Sequence, residues 1–323
     1  MQQILLVKTS SLGDVVHNLP VVSDIRRAFP DACIDWVVEE AFADIPGMHP
    51  ALREVIPLAL RRWRKQWNAA NCAEFRAFRQ HLRARRYDLV LDSQGLVKSA
   101  AVSLLARGQR VGHAWGSARE ALASLAYAQR IAVPQTLHAV VRNRELAATA
   151  LGYAALGLPD YGLQVADWRF DGMPAGDYCV LLHATSRADK LWAEANWVAL
   201  GERLAAASMT LVLPWGNALE HARACRLAQR ISASCVAPRL LLNEAAGLLH
   251  GARAVIGVDT GLCHLAAAVG VPVIALHCAT DPGLTGVFGA GFARNLGARA
   301  APPTVGAVLA ELNRAGLTGL LQA

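Results

Sequence analysis

Short apolar runs recur along the chain, each followed by a polar loop and then by apolar positions at helical spacing. Residues 4–7 read as a buried strand that runs into Lys8-Thr9-Ser10-Ser11-Leu12-Gly13-Asp14, after which Val15, Leu19, Val22 and Ile25 predict a helix. Residues 33–38, 54–58 and 87–91 predict three more strands, the first ending at Glu39-Glu40 and the last at Asp92-Ser93-Gln94-Gly95. Helices are expected over 74–85, 97–106 and 139–151. Between 152 and 176 the pattern loosens, with five glycines and with Pro159 and Pro174, which sets a domain boundary near residue 160. The alternation then restarts: strands at 178–183, 210–213, 255–258 and 272–276, and helices at 194–207, 219–231, 243–250, from Leu262 onward, and at 305–315. Strands alternating with helices predict two α/β domains, 1–160 and 161–323, each a parallel, doubly wound sheet. No internal repeat is visible, so the halves are alike in pattern only.

Sheets of this kind gather ligands beyond the carboxyl ends of their strands, and in two such domains those ends can face one another across a cleft. The strand at 255–258 stops at Asp259 and Gly261, which places Asp259, Thr260 and His264 at a turn and the first turn of a helix. Free amides and the positive dipole end there favour an anion such as phosphate. Thr260 suits an N-cap equally well, and His264 a core histidine. The strand at 178–183 opens into a loop with Thr185, Ser186 and Lys190. Two hydroxyls and a lysine can hold a diphosphate and offset charge on a leaving group, or form a solvated loop. Pro214-Trp215-Gly216 ends another strand, and Glu220 beyond it suits either ribose hydroxyls or a helix dipole. In the first half Asp14 enters a helix as an N-cap or stands as a general base. Lys8, Thr9, Ser10 and Ser11 beside it offer polar groups to a substrate.

Composition changes this picture little: 54% hydrophobic and 18% charged residues describe a well-buried globular chain. Seven cysteines, an odd number without a Cys-x-x-Cys pair, fit free thiols in a reducing compartment better than disulfides or a zinc site. The amino terminus lacks a basic leader and a small-residue cleavage site, so no export signal is expected. Residues 260–280 carry no formal charge, yet His264, His277, two glycines and Pro272 make them a helix, a break and a strand rather than a membrane span. Dinucleotide, P-loop, nucleophile-elbow and His-Glu-x-x-His motifs are all missing, which disfavours the corresponding oxidoreductases, NTPases, hydrolases and zinc proteases. Charge matters more. Between Arg61 and Arg86 lie nine cations against one acid, Glu74, so the chain's +7 balance resides in that segment. A solvated face is the ordinary reading of such a run, but this density also suits an anionic membrane, a phosphorylated acceptor or nucleic acid. The lack of any nucleic-acid motif lowers the last.

Taken together the motifs resemble glycosyltransferase family 9, the heptosyltransferases of lipopolysaccharide core assembly. The segments that carry the resemblance are Lys8–His17, Trp36–Glu40, Ile56-Pro57 with Arg61-Arg62-Trp63-Arg64-Lys65, Gln94–Ser99, His183-Ala184-Thr185, Pro214-Trp215-Gly216 and Val258-Asp259-Thr260-Gly261-Leu262-x-His264. They span nearly the whole chain, and the Lys-Thr-Ser-Ser start and the Arg-Arg-Trp-Arg-Lys segment are closer to the family's type I branch than to type II. The resemblance implies a GT-B fold of two facing Rossmann-like domains, the first binding acceptor and the second nucleotide sugar, with a final helix that can cross back to the first. It implies transfer of L-glycero-D-manno-heptose from ADP-heptose to the Kdo of Kdo2-lipid A with inversion, on the cytoplasmic face of the inner membrane. Carried onto this sequence, Asp14 is the general base and Lys190 the cation at the leaving group. Thr185, Ser186 and Lys190 bind the diphosphate, Glu220 the ribose, and Asp259, Thr260, Gly261 and His264 the sugar and phosphates. Lys8, Ser10, Arg61, Arg62, Arg64, Lys65 and Lys98 are the acceptor-side candidates. No acidic metal cluster is evident in the sequence, so neither a metal nor another cofactor is expected. The alternatives are a type II enzyme, a sugar-nucleotide epimerase of similar fold, and a non-catalytic anionic-lipid-binding protein.

Overall fold

The computed structural model describes residues 2–66, 68–289 and 291–316. The chain divides into two compact units, Met1–Gln164 and Val165–Ala323, so the boundary falls just past residue 160.

The first domain runs β1 (Gln3–Val7), α1 (Leu12–Val16), α2 (Leu19–Ala28), β2 (Cys33–Glu39), α3 (Asp44–Gly47), β3 (Leu52–Leu58), α4 (Leu60–Lys65), α5 (Ala69–Ala84), β4 (Arg86–Asp92), α6 (Val97–Leu105), β5 (Arg107–His113), a 3-10 segment at Ala121–Ala126, β6 (Gln129–Ile131) and α7 (Ala139–Leu151). Its strands form one parallel sheet in the order β3-β2-β1-β4-β5-β6. Helices cover both faces, so the central strand is a continuous apolar run, Ile4 to Val7, with every member fully buried. The single helix expected after β1 is two. Pro20 stands in the first turn of α2, where its missing N–H and fixed φ suit a helix start but cannot continue one from α1. Strands β5 and β6 escape the apolar-run reading: β5 begins with Arg107, Gln109 and Arg110 on its exposed half, and β6 is a three-residue edge. On one face of the sheet Trp63 of α4, Phe78 and Leu82 of α5, and Val102 of α6 share a core with Leu5, Val7 and Val90. Trp63 meets the Phe75 and Phe78 rings edge-on at 5.7 and 6.0 Å. On α7, Arg144 clamps the buried Asp24 of α2 through two hydrogen bonds, 2.7 and 3.1 Å.

The second domain repeats the pattern: β7 (Tyr178–Leu182), α8 (Glu194–Ala206), β8 (Thr210–Leu213), α9 (Ala218–Ala228), β9 (Ser234–Val236), α10 (Leu242–His250), β10 (Ala254–Val258), α11 (Gly261–Ala268), β11 (Val273–His277), α12 (Pro282–Thr285), β12 (Ala293–Gly297) and α13 (Val305–Arg314). The sheet order β12-β11-β10-β7-β8-β9 is the first domain's order read from its other edge. Trp192 and Trp197, edge-on at 5.1 Å, fill its core together with Val308 and Leu312 of α13. The described part of the final helix, expected to cross back, thus packs in its own domain.

Three buried histidines give this fold an acid-sensitive stability. Burial pushes His49 and His183 down to about 4 and His113 to about 3. The unfolded chain takes up protons at these rings from about pH 6.5 downward while the folded chain does not, so stability falls with the pH through that window. His183 is fully buried just past the end of β7, beside the Pro214 backbone. His183→Phe is therefore expected to shrink the loss of Tm between about pH 6.5 and 4, measured by calorimetry beside the parent. An unchanged loss would show that His183 protonates within the fold.

Candidate functional site

In each sheet the strand order reverses beside the first strand, between β1 and β4 and between β7 and β10. Loops leaving the carboxyl ends there run to opposite faces and open a crevice. The sequence candidates collect at these two points.

In the first domain Asp14 is the third residue of α1 and accepts from the Ser11 N–H at 3.0 Å and the Ser11 hydroxyl at 3.3 Å. Arg119 grips the same carboxylate with both terminal nitrogens, at 2.5 and 3.2 Å. Asp14 is thus both a helix-start residue and half of an ion pair. Burial alone would raise its pKa, but the Lys8 and Arg119 charges outweigh it and hold the carboxyl below the usual range. The loop that carries Asp14 is braced from the end of β4. Gln94 Oε1 accepts from the Thr9 N–H (2.7 Å) and hydroxyl (2.8 Å), and its Nε2 donates to the Ser10 carbonyl (2.6 Å). The Gln94 and Gly95 N–H groups in turn donate to buried Asp92, which also accepts from the Tyr127 hydroxyl at 2.8 Å. Lys98 Nζ donates to the Ser10 hydroxyl at 2.6 Å.

Not every acceptor-side candidate joins this cluster as a free contact. Lys8 is only 3% exposed, and its Nζ donates to the Ser93 carbonyl (2.8 Å) and to Asn143 Oδ1 (3.2 Å). Burial lowers its pKa to about 8. It lies beneath the loop and acts on Asp14 through its charge. Arg61 bonds Glu39 through its backbone N–H at 2.8 Å and stacks on Phe42, and its charge helps burial push Lys98 down. Arg62 is already paired with Glu40 at 3.0 Å and Glu74 at 2.9 Å. Arg64 and Lys65 are exposed and form no ion pair among the described residues.

In the second domain Asp259 leaves β10 with its Oδ2 accepting from Lys190 Nζ (2.7 Å) and the Thr280 hydroxyl (2.9 Å). Its carbonyl accepts from the Thr185 hydroxyl at 3.0 Å, so the loops after β7 and β10 are tied together. Burial works to raise the Asp259 pKa, and Lys190 overcomes it and holds the group ionised. Thr280 is positioned by His277, whose other ring nitrogen meets Asn295, each contact 3.0 Å. Thr260 occupies the N-cap of α11, yet its side chain makes no capping bond, which leaves the hydroxyl and the turn at Gly261 for a ligand. Gly257 permits this arrangement: a Cβ there would lie 2.7 Å from the Leu182 Cβ and collide with Cys263, which bonds the Val258 carbonyl at 3.2 Å. His264 lies in the first half of α11 and is 7% exposed. Ser186 is exposed. Glu220 folds the turn before α9, accepting from the Gly216 N–H at 2.7 Å and the Asn217 side chain at 2.8 Å.

Sequence reasoning missed Arg119, the Gln94 brace, Thr280 and His277. Arg119 sits between two strands that the apolar pattern did not reveal, and Gln94, visible only as part of a motif, carries no charge that marks it as a brace. Chemically, each cluster presents one carboxylate clamped by one cation, a pair that an incoming anion can split by competing for the cation. Among the described residues no group of three or more His, Cys, Asp or Glu side chains converges as metal ligands would.

Residues 75–307 match the family described as Glycosyltransferase family 9 (heptosyltransferase). The Escherichia coli K12 protein named lipopolysaccharide heptosyltransferase 1 is 48% identical over 292 residues, 89% of this chain and 91% of that one. The structure described as E. coli heptosyltransferase WaaC with ADP superposes with a TM-score of 0.89 at 44% identity, covering 97% of this chain and 100% of that chain. That described as WaaC with ADP-2-deoxy-2-fluoro heptose gives 0.85 at 42% identity, covering 97% and 99%. With two six-stranded parallel sheets, an anion-ready turn in the second domain and these likenesses over nearly its full length, the chain has the GT-B fold and belongs to glycosyltransferase family 9, the heptosyltransferases.

Proposed function

We propose that the protein is an inverting heptosyltransferase of type 1, moving L-glycero-D-manno-heptose from ADP-heptose to the Kdo of Kdo2-lipid A in assembly of the lipopolysaccharide inner core. The observation that carries this reading is the Lys190–Asp259–Thr185 cluster at the second domain's switch point, in a chain similar along its length to an enzyme solved with ADP and a fluorinated ADP-heptose. Lys190 exchanges Asp259 for the donor diphosphate. Thr185, Ser186, Thr260 and the turn at Gly261 add hydrogen bonds to it, and Glu220 takes the ribose. Asp14 accepts the proton of the acceptor hydroxyl as that oxygen attacks the anomeric carbon from the face opposite the leaving group. The bond to the diphosphate breaks, its electron pair leaves with ADP, and no enzyme nucleophile intervenes.

The clamp on Asp14 fits an acidic acceptor. A carboxylate held by Arg119 is a weak base, and Kdo carries a carboxylate of its own. When that group draws Arg119 away, Asp14 regains basicity as the hydroxyl arrives, with Ser10, Lys98, Arg61, Arg64 and Lys65 available to the remaining anionic groups. The negative charge that grows on ADP is offset by Lys190 and the α11 amino terminus without a metal. Full turnover in excess EDTA is the expected result; a loss restored by magnesium would refute this part. No described helix is long and apolar enough to cross a membrane, and we place the protein on the cytoplasmic face of the inner membrane, held to anionic lipid. Mass spectrometry after incubation with ADP-heptose, alone and with acceptor, tests the reading against an epimerase. A heptosylated lipid is expected only with acceptor; an isomerised donor without it would contradict the proposal.

A further inference from the structure

The outward side of the layer formed by α5 and α6 has no part in either cluster. Phe78 and Leu82 of α5, Val102 of α6 and Ala106 just past its end point into one shared core, so the two helices lie side by side and their other sides face away from the sheet. On α5 that side carries Arg76, Arg79 and Arg83, all exposed and without an ion pair among the described residues. On α6 it carries Val97 (47% exposed), Ala101 and Leu104 (51% exposed), spaced i, i+4, i+7 along one stripe. The segment Ala121–Ala126 packs Ala123 against Ala100 of α6 and leaves Leu122 and Leu125 each 62% exposed. A solvent-facing helix side is normally polar. Single exposed leucines need no account, but an apolar stripe and a leucine pair on adjoining elements form a patch that does.

The charge beside the patch decides its occupant. A second copy meeting this face with its own would bring arginine against arginine, and nucleic acid would take the arginines but not the leucines. An anionic bilayer takes both, cations at its headgroups and leucines among its acyl chains. The placement also serves the chemistry, since α6 begins with Val97 beside Lys98, whose Nζ bonds Ser10 in the loop that carries Asp14.

We propose that this face docks on an anionic lipid bilayer, with Arg76, Arg79 and Arg83 over the headgroups and Leu104, Leu122 and Leu125 inserted at the interface. The inference rests on the reading of the acceptor as a lipid whose sugar is held in this domain. Flotation with vesicles of phosphatidylcholine, with and without phosphatidylglycerol, tests it. The triple variant Leu104→Ser, Leu122→Ser, Leu125→Ser is expected to bind the mixed vesicles about ten-fold or more weakly. The triple variant Arg76→Gln, Arg79→Gln, Arg83→Gln is expected to lose the preference for phosphatidylglycerol. Both should heptosylate a deacylated, water-soluble acceptor at the parent rate, which also shows that they fold. Vesicle binding by the serine variant equal to the parent's would overturn the proposal. So would a dimer in light scattering that the serine variant dissociates with vesicle binding unchanged, since the face would then join two copies. Failure of the parent itself to act on the soluble acceptor would instead strike the transferase reading, and the vesicle result would stand apart from it.

Discussion

Replacing Asp14 by Asn is expected to lower kcat by about 10² to 10⁴ while leaving the affinity for ADP-heptose unchanged. The amide keeps the shape of the carboxylate and can still accept from the Ser11 N–H, so α1 should start as it does now. What disappears is the proton acceptor. Because the proposed donor contacts all lie in the other domain, the loss should fall on kcat with acceptor saturating and leave donor titrations by calorimetry at the parent value. The pH profile sharpens the expectation. In the free enzyme Lys8 and Arg119 hold Asp14 ionised well below neutrality, so the parent's kcat/KM for the acceptor should stay level toward mild acid until this group, or Asp259, takes a proton. The Asn variant should show no acid limb from Asp14. Turnover close to the parent's would exclude Asp14 as the base.

Lys190→Ala is expected to cost about 10² to 10³ in kcat, the usual effect of removing one charge-stabilising donor from a departing anion, and to weaken ADP-heptose binding as well. The two effects share one cause: Lys190 is the cation at the switch point of the second sheet, bonded there to Asp259. Its removal also leaves Asp259 partly buried with Thr280 as its remaining side-chain partner, so some stability must be lost. Lys190→Ala combined with Asp259→Asn relieves that strain and should restore Tm without restoring turnover. A double variant that regains activity would show that Lys190 serves the fold alone.

Much of the fold could be read in the sequence because burial on both faces makes parallel strands contiguous apolar runs, and the loops that follow them stand out as polar. Residues 4–7, 178–183 and 255–258 are such runs, and the loops they introduce carry Asp14, Lys190 and Asp259. Reading failed where burial was partial or the partner was remote. Strand β5 is polar along half its length, which hid both the edge of the first sheet and Arg119 in the loop beyond it. Lys8 looks like a surface cation, but its position at the carboxyl end of the central strand buries it, a fact set by the neighbours Ser93 and Asn143 rather than by its own loop. Arg62 reads as one of several free cations, whereas Glu40 and Glu74 neutralise it across three separate elements. Charge runs reveal density; pairing is decided by tertiary contacts.

The central claim is that a lipid-linked Kdo receives heptose from ADP-heptose. It is tested most directly by ADP release and product mass with Kdo2-lipid A set beside lipid A that lacks Kdo. Heptosylation with inversion of the first lipid and none of the second is the predicted result. Equal transfer to both, or no transfer to either with the donor bound, would contradict it.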